Sequence, residues 1–378
     1  MVRNESLIFS SAFFQSTNKI MHQNTSNRIK AIGFLCALMV VAIHCTAIPK
    51  DWWDGAADIP RWIVGLQALG TDTLARLAVP WFFVISGFFL VRGLADELND
   101  GSLMSRLFSW WRSSIAKRLL TLGVPYLLWN LIYYGFKVAT GKYGFDGWHC
   151  LTQLTGCDFH EVPACGQFWY LRNILFYVFC APVFVLLLSH RIVGLATLLI
   201  LSFCWLSGVG YPFRYLQIAD YSYILYFGTG VYIGLGYRWC VCKKVGGVIR
   251  ISLMLLMMAA VCGIVGGAVF RNAQMVMVCN RILILSGLPT LWFYGDWILS
   301  VTYRWKNFYG LAFFIYAAHV ILVSVVHKIT YALLTPVLYN SVGYLLKIAV
   351  GVFGSIVLGL VLTRVAPRFF KVLCGGRS

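Results

Sequence analysis

Long uninterrupted apolar blocks set the terms on which this chain can fold. About ten of them run along its 378 residues, each near the ~20 residues a helix needs to cross a hydrocarbon core of ~30 Å. A backbone in hydrocarbon must satisfy its own N–H and C=O groups, so blocks of this length read as helices rather than open strands. The spans are expected at about 29–48, 74–94, 118–139, 168–189, 192–208, 219–237, 251–270, 280–300, 308–328 and 343–364. A short extra helix over 61–70 is expected before the second span. Charged residues make up 12% of the chain against 60% hydrophobic, about half the charged share of a soluble domain. The fold class is therefore all-α, a polytopic integral membrane helical bundle. One domain covers 28–366, between a polar 1–27 tail, expected to be disordered, and a short 367–378 tail. No internal repeat is visible, so the inverted symmetry of many transporters is not expected.

The net charge of +18 raises nucleic acid as a partner, but its placement argues for the lipid bilayer instead. Lys and Arg gather at alternate ends of the apolar blocks, and no basic stripe interleaved with aromatics occupies a polar segment. By side, Arg28 and Lys30 precede the first span and Arg106, Arg112, Lys117 and Arg118 the third. Lys243, Lys244 and Arg250 precede the seventh, and Arg364, Arg368 and Lys371 follow the last. About 20 of the 31 Lys and Arg fall on this side, which the positive-inside rule makes cytoplasmic for both termini. A multi-pass protein of a cell inner membrane is expected. The 92–117 connection, with Phe108, Trp110 and Trp111 among basic residues, reads equally as an amphipathic surface helix or a plain loop.

His44 closes the apolar run Ala31–Cys45. An imidazole at membrane depth is costly unless something uses or satisfies it, so it is a candidate site by position alone. Its bland alternative is a histidine bonded to a neighbouring helix backbone. The twelve cysteines form no scaffold, since most stand singly within spans as small hydrophobes. Cys150, Cys157 and Cys165 share an outer loop with His149 and His160. A disulfide is chemically possible there, but the spacing matches no compact zinc pattern, and no metal is expected.

Several segments acquire meaning together. These are Arg28 through His44, the stretch Val79-Pro80-Trp81-Phe82-Phe83-Val84-Ile85-Ser86-Gly87-Phe88-Phe89-Leu90, and the stretch Lys117-Arg118-Leu119-Leu120-Thr121-Leu122-Gly123-Val124-Pro125-Tyr126-Leu127-Leu128-Trp129. Phe168-Trp169-Tyr170-Leu171-Arg172-Asn173 and Phe314-Ile315-Tyr316-Ala317-Ala318-His319 follow. In order and spacing the chain resembles the membrane acyltransferase-3 family from Arg28 to about Arg364. That resemblance implies O-acylation, usually O-acetylation, of cell-surface carbohydrate. It makes His44 the counterpart of the family's histidine late in the first span. The family often has an arginine eleven residues earlier, where this chain has Gly33; Arg28 or Lys30 is then the nearest cation. Asp72, Asp220 and Asp296 are candidate carboxylate partners for His44.

The chemistry agrees with the resemblance. Acyl transfer to a hydroxyl needs a base near the acceptor proton, and imidazole titrates close to working pH. It also needs donors where the thioester oxygen becomes negative. Arg76, Arg118 and Arg172 are candidates for that task or for the phosphates of coenzyme A, against the alternative that Arg76 and Arg172 snorkel to the interface. Tyr126, Trp129 and Trp169 are candidate stacking platforms for sugar or adenine, or else packing residues, and His319 is a candidate cavity residue. The expectation is an O-acyltransferase that binds no resident cofactor and uses acetyl-CoA or another acyl-CoA as donor and a carbohydrate acceptor. The rival is a carrier or flippase, which would carry charge at span centres and paired broken helices.

The orientation is directly checkable. A single cysteine at Asp54 in a cysteine-free background is expected to react with an impermeant maleimide in intact cells, and one at Ser378 only after permeabilisation. Labelling of Ser378 from outside would reverse the topology.

Overall fold

The structure is a computed structural model. It describes residues 25–376 apart from 47, 56–57, 92–93, 95–102, 158–160, 209–219 and 236–244. The polar N-terminal tail, part of the 92–117 connection and the 238–244 basic stretch thus lie mostly outside the described residues. Thirteen helices account for the described fold, with no strand among them. They are α1 (Thr25–Ile43), α2 (Arg61–Val91), α3 (Leu107–Ala139), α4 (Gly147–Thr155), α5 (Gly166–Phe179), α6 (Ala181–Ser189), α7 (Arg191–Ser207), α8 (Tyr221–Gly234), α9 (Gly247–Val269), α10 (Ala273–Phe293), α11 (Gly295–Leu333), α12 (Pro336–Val365) and α13 (Pro367–Leu373).

Seven of these, α1, α2, α3, α9, α10, α11 and α12, are long and apolar enough to cross a membrane; α5 and α6 together make an eighth, bent by 66°. The remaining two expected spans appear as the shorter helices α7, 17 residues, and α8, 14 residues. The bend falls where Pro182 starts α6, a residue that cannot donate to the preceding turn. The extra helix expected over 61–70 is not separate. It is the start of α2, joined through a π-turn at Ala68–Asp72 and a 3-10 turn at Leu74–Leu77. Residues from Leu103 onward run helically into α3, so the described part of the 92–117 connection is helix rather than loop.

Close packing relies on small residues. Where α2 crosses α8, a Cβ on Gly87 would strike the carbonyl of Phe227 and one on Gly230 the carbonyl of Val84. One on Gly234 would sit 2.9 Å from the Phe88 carbonyl. Backbone-to-backbone approach of this kind is how helices associate where lipid tails are as apolar as leucine. α1 is fixed at one end by a two-pronged ion pair from Arg28 to Asp296 at the start of α11. The face of the bundle at this end is called the N face below. At the opposite face the Trp52 indole N–H donates to the Ala268 carbonyl at 2.9 Å, and the Arg271 guanidinium lies 4.1 Å from the Trp52 ring centre.

The glycine crossing gives a stability prediction. Gly230→Val should lower the detergent melting temperature by an amount corresponding to ~1–3 kcal/mol or more, because backbone rather than a flexible side chain must move. Gly135→Ala, where an added Cβ meets nothing within 4 Å, should be neutral or slightly stabilising. Equal melting of the two variants would show that the crossing is not close-packed.

Candidate active site

α1 winds without a break from Thr25 and closes with turns whose backbone bonds run from His44 N to Val41 O and from Cys45 N to Ala42 O, each 3.1 Å. His44 is an exposed residue at the end of α1. Its ring centre lies 5.2 Å from that of His319 on α11, the planes inclined at 46°. His319 is wholly buried. Its Nδ1–H donates to the Ile315 carbonyl at 3.0 Å, which leaves Nε2 as the lone-pair nitrogen. That nitrogen has no hydrogen-bond partner among the described residues.

Arg76 joins this pair. It lies one turn past Asp72, across the irregular winding of α2, and the two form an ion pair. Its charge reaches His44. The carboxylates considered as partners for His44 are otherwise engaged. Asp72 holds Arg76, Asp296 holds Arg28, and Asp220 caps α8 by accepting from Ser222 N at 2.8 Å. The aromatic neighbour of His44 is instead a second histidine. Both were legible as unusual residues, but helical periodicity does not say which residues on distant spans meet.

A cavity of about 1090 Å³ enters the bundle from the N face. Lys30, Lys117, Arg118 and Lys306 give its lining a fourfold positive charge, and Phe82, Ser86, Tyr170 and Tyr316 line it further in. The Arg118 guanidinium donates to the Phe89 carbonyl at 3.3 Å, which holds the charge toward the cavity wall. Ser86 and Tyr170 hydroxyls are bonded at 2.9 Å. Gly33 is also in the wall, and a Cβ there would meet nothing within 4 Å, so the place where the resemblance implies an arginine is open space. The Tyr316 hydroxyl donates to the Gln167 carbonyl at 2.5 Å. Tyr316 precedes His319 by one helical turn on the same face. The cavity thus ends one turn short of the histidine pair, and His44 itself lies beyond it.

Of the remaining candidates, Arg28 is engaged with Asp296. Tyr126 is buried, stacked on Phe168 at 5.9 Å, and donates to the Thr155 carbonyl at 3.2 Å. Trp129 is buried, donates to the Leu373 carbonyl at 3.2 Å and meets Phe314 edge-on at 5.5 Å. Trp169 is half-buried against Tyr223 and Phe83. Arg172 donates to the carbonyls of Gly156 at 3.2 Å and Glu161 at 3.1 Å, tying the loop after α4 to α5. None of these five lines the cavity. Cys165, between α4 and α5, is buried, its backbone N–H donates to Asn130, and burial pushes its thiol well above the ordinary range. Cys150, Cys157 and Cys165 are free thiols. Lys347 on α12, not among the residues singled out from the sequence, is buried near Cys45.

The helices and this interior define a multi-pass membrane protein with a charged chamber entered from one face. An acyltransferase-domain family model matches residues 28–364, nearly the whole chain, and the protein belongs to the acyltransferase-3 family. Among curated proteins, a serine/alanine racemase of Enterococcus gallinarum is 35% identical over 112 residues. The match covers 30% of this chain and 13% of that protein. No solved structure matches the chain significantly.

Arg172 gives a test that separates loop anchoring from ligand binding. Arg172→Lys keeps the charge but not the planar fork that reaches two carbonyls. It should open the 150–165 segment to limited proteolysis in detergent, with protection not restored by acetyl-CoA. Full protection in the variant would remove the anchoring role.

Proposed function

We propose that this membrane acyltransferase moves an acyl group, acetyl being the expected one, from acyl-CoA to a hydroxyl of a cell-surface or lipid-linked carbohydrate. The observation that carries the reading is the basic cavity ending one helical turn from the buried His319, whose ring meets that of His44 at the far end of α1. Coenzyme A carries a diphosphate and a 3′-phosphate, which Lys30, Lys117, Arg118 and Lys306 would hold near the N face, with the thioester reaching inward past Ser86 and Tyr170. Charge-assisted hydrogen bonds to phosphate are the strong ones, and arginine suits them by its planar fork.

His44 then acts as the base. It takes the proton of the acceptor hydroxyl as the oxygen attacks the thioester carbon. The C–O bond forms, the C–S bond breaks, and the imidazolium returns its proton to the leaving thiolate. Arg76 lies near enough to lower the energy of the negative charge that develops on the carbonyl oxygen. Imidazole is suited to both proton transfers because its unperturbed titration lies close to neutrality. Donor and acceptor approach from opposite faces in this reading. The N face is then cytoplasmic in an inner membrane, where acyl-CoA is found, with both termini on that side.

Two variants test it. His44→Gln keeps hydrogen bonding and removes the base, so acyl transfer should fall by ~10²–10⁴-fold with insertion unchanged. Transfer near the parental rate would make His44 a packing residue. The Lys30→Ala, Lys306→Ala double variant should raise KM for acetyl-CoA about tenfold or more with kcat little changed. The penalty should disappear with acetyl-pantetheine, which lacks the nucleotide phosphates. An equal penalty for both donors would move coenzyme A out of the cavity.

A further inference from the structure

Lys347 lies within the spanning segment of α12 and is only 2% exposed. Among the described residues no carboxylate pairs with it, since the ion pairs are Arg28–Asp296, Arg76–Asp72 and His149–Glu161. Its ammonium lies 4.8 Å from the centre of the Tyr339 ring, and its charge reaches the Cys45 thiol and the His327 imidazole. A lysine at this depth without a counter-ion is costly, and such residues mark the paths of polar ligands.

Its position follows from the packing. α12 meets α1 and α11 at Gly351, where an added Cβ would come within 2.6 Å of Val41 and 3.0 Å of Val323. α12 runs opposite to the other two. One turn further from the N face therefore lie Lys347, Cys45 and His327, four residues from those contacts on each helix. The layer is next to His44 in the chain and is braced by polar bonds. The Tyr344 and Thr71 hydroxyls are 3.0 Å apart, and Thr71 donates to the Ala42 carbonyl at 3.0 Å. Gln67 donates to the Asn340 carbonyl at 2.7 Å and accepts from Thr46 at 3.2 Å. Arg76, held by Asp72, acts on His44, and Lys347 acts on Cys45, the next residue along α1.

We propose that Lys347 is the anion-recognition group of the acceptor side, drawing in a carboxylate or phosphate carried by the acceptor so that a nearby hydroxyl is presented to His44. The proposal rests on the transferase reading and adds a substrate class to it, namely an acceptor that is itself an anion. A uronic-acid carboxylate and a lipid-linked diphosphate offer the same chemistry, and the test separates them.

Purified parent, Lys347→Met and Lys347→Arg proteins are compared in two assays, with Lys347→Gln replacing the Met variant if that is not recovered folded. The first needs no turnover. Glucuronate or pyrophosphate, but not glucose, should raise the melting temperature of the parent and of Lys347→Arg, and have little effect on Lys347→Met. The second measures acetyl transfer to a glucose oligosaccharide, the matching glucuronate-containing oligosaccharide, and prenyl-diphosphate-linked N-acetylglucosamine. The parent should prefer one or both anionic acceptors, and Lys347→Met should reduce that preference about tenfold through KM. A preference for glucuronate identifies carboxylate, one for the prenyl diphosphate identifies phosphate, and either supports the proposal. Equal melting shifts in parent and Lys347→Met, no shift in the parent, or an unchanged acceptor preference overturns it. If the parent transfers no acetyl group to any acceptor, the transferase reading fails, and the melting assay alone decides whether Lys347 binds anions.

Discussion

Hydrocarbon offers no hydrogen bonds, so each polar group inside the bundle needs a partner in the protein or in what the protein binds. Most of the interior obeys this locally. Ser286, Thr290, Thr330 and Ser355 return their hydroxyl bonds to carbonyls one turn back on their own helices. Tyr133 and Gln167 both donate to the Ala317 carbonyl, at 2.8 and 3.0 Å. Arg28 and Arg76 have carboxylates. Near the end of α1 the His44 and His319 rings meet at 5.2 Å, the Nε2 of His319 has no hydrogen-bond partner among the described residues, and Lys347 lies buried beside Cys45 with no carboxylate paired to it.

α11 connects the two halves of the interior. Its Tyr316 lines the basic cavity and its His319, one turn on, meets His44. α2 contributes through its irregularity. The π-turn and 3-10 turn between Ala68 and Leu77 are where Thr71, Asp72 and Arg76 are presented to α1 and α12. Tightened or widened turns inside a spanning helix often mark functional positions, because they re-aim side chains without breaking the backbone ladder for long. The close α2–α8 contact through Gly87, Gly230 and Gly234 braces the other half of the same helix.

Much of the fold was legible because hydropathy acts on every residue of a span. The presence of α1, α9, α10, α11 and α12 follows from apolar block length, but not every boundary does: α10 is Ala273–Phe293 where 280–300 was expected, and α11 starts at Gly295 where 308 was expected. The fusion of 61–70 with the next span was not legible, since the junction is made by π- and 3-10 turns that carry no fixed composition. The site was legible in part. His44, Arg76 and His319 stood out as polar residues in or beside apolar blocks, and Arg118 and Lys30 as span-end cations. Their grouping into a histidine pair and a basic cavity depends on which helices touch, which an individual helix's periodicity does not encode. Tyr126 and Trp129 looked like ligand platforms for the same reason that they pack well, being large, flat and amphipathic. Lys347 was hidden by its nearness to a span end, where snorkelling would have satisfied it.

The central claim is acyl transfer between the two faces of the bundle, and reconstitution tests it most directly. Purified protein of known orientation in liposomes is given radiolabelled acetyl-CoA on the face entered by the basic cavity, with glycan from the source membrane enclosed on the other. The account predicts base-labile label on the enclosed glycan, and none when the donor is supplied only on the glycan side. Absence of transfer in either arrangement, or transfer only with donor and glycan on one side, would contradict it.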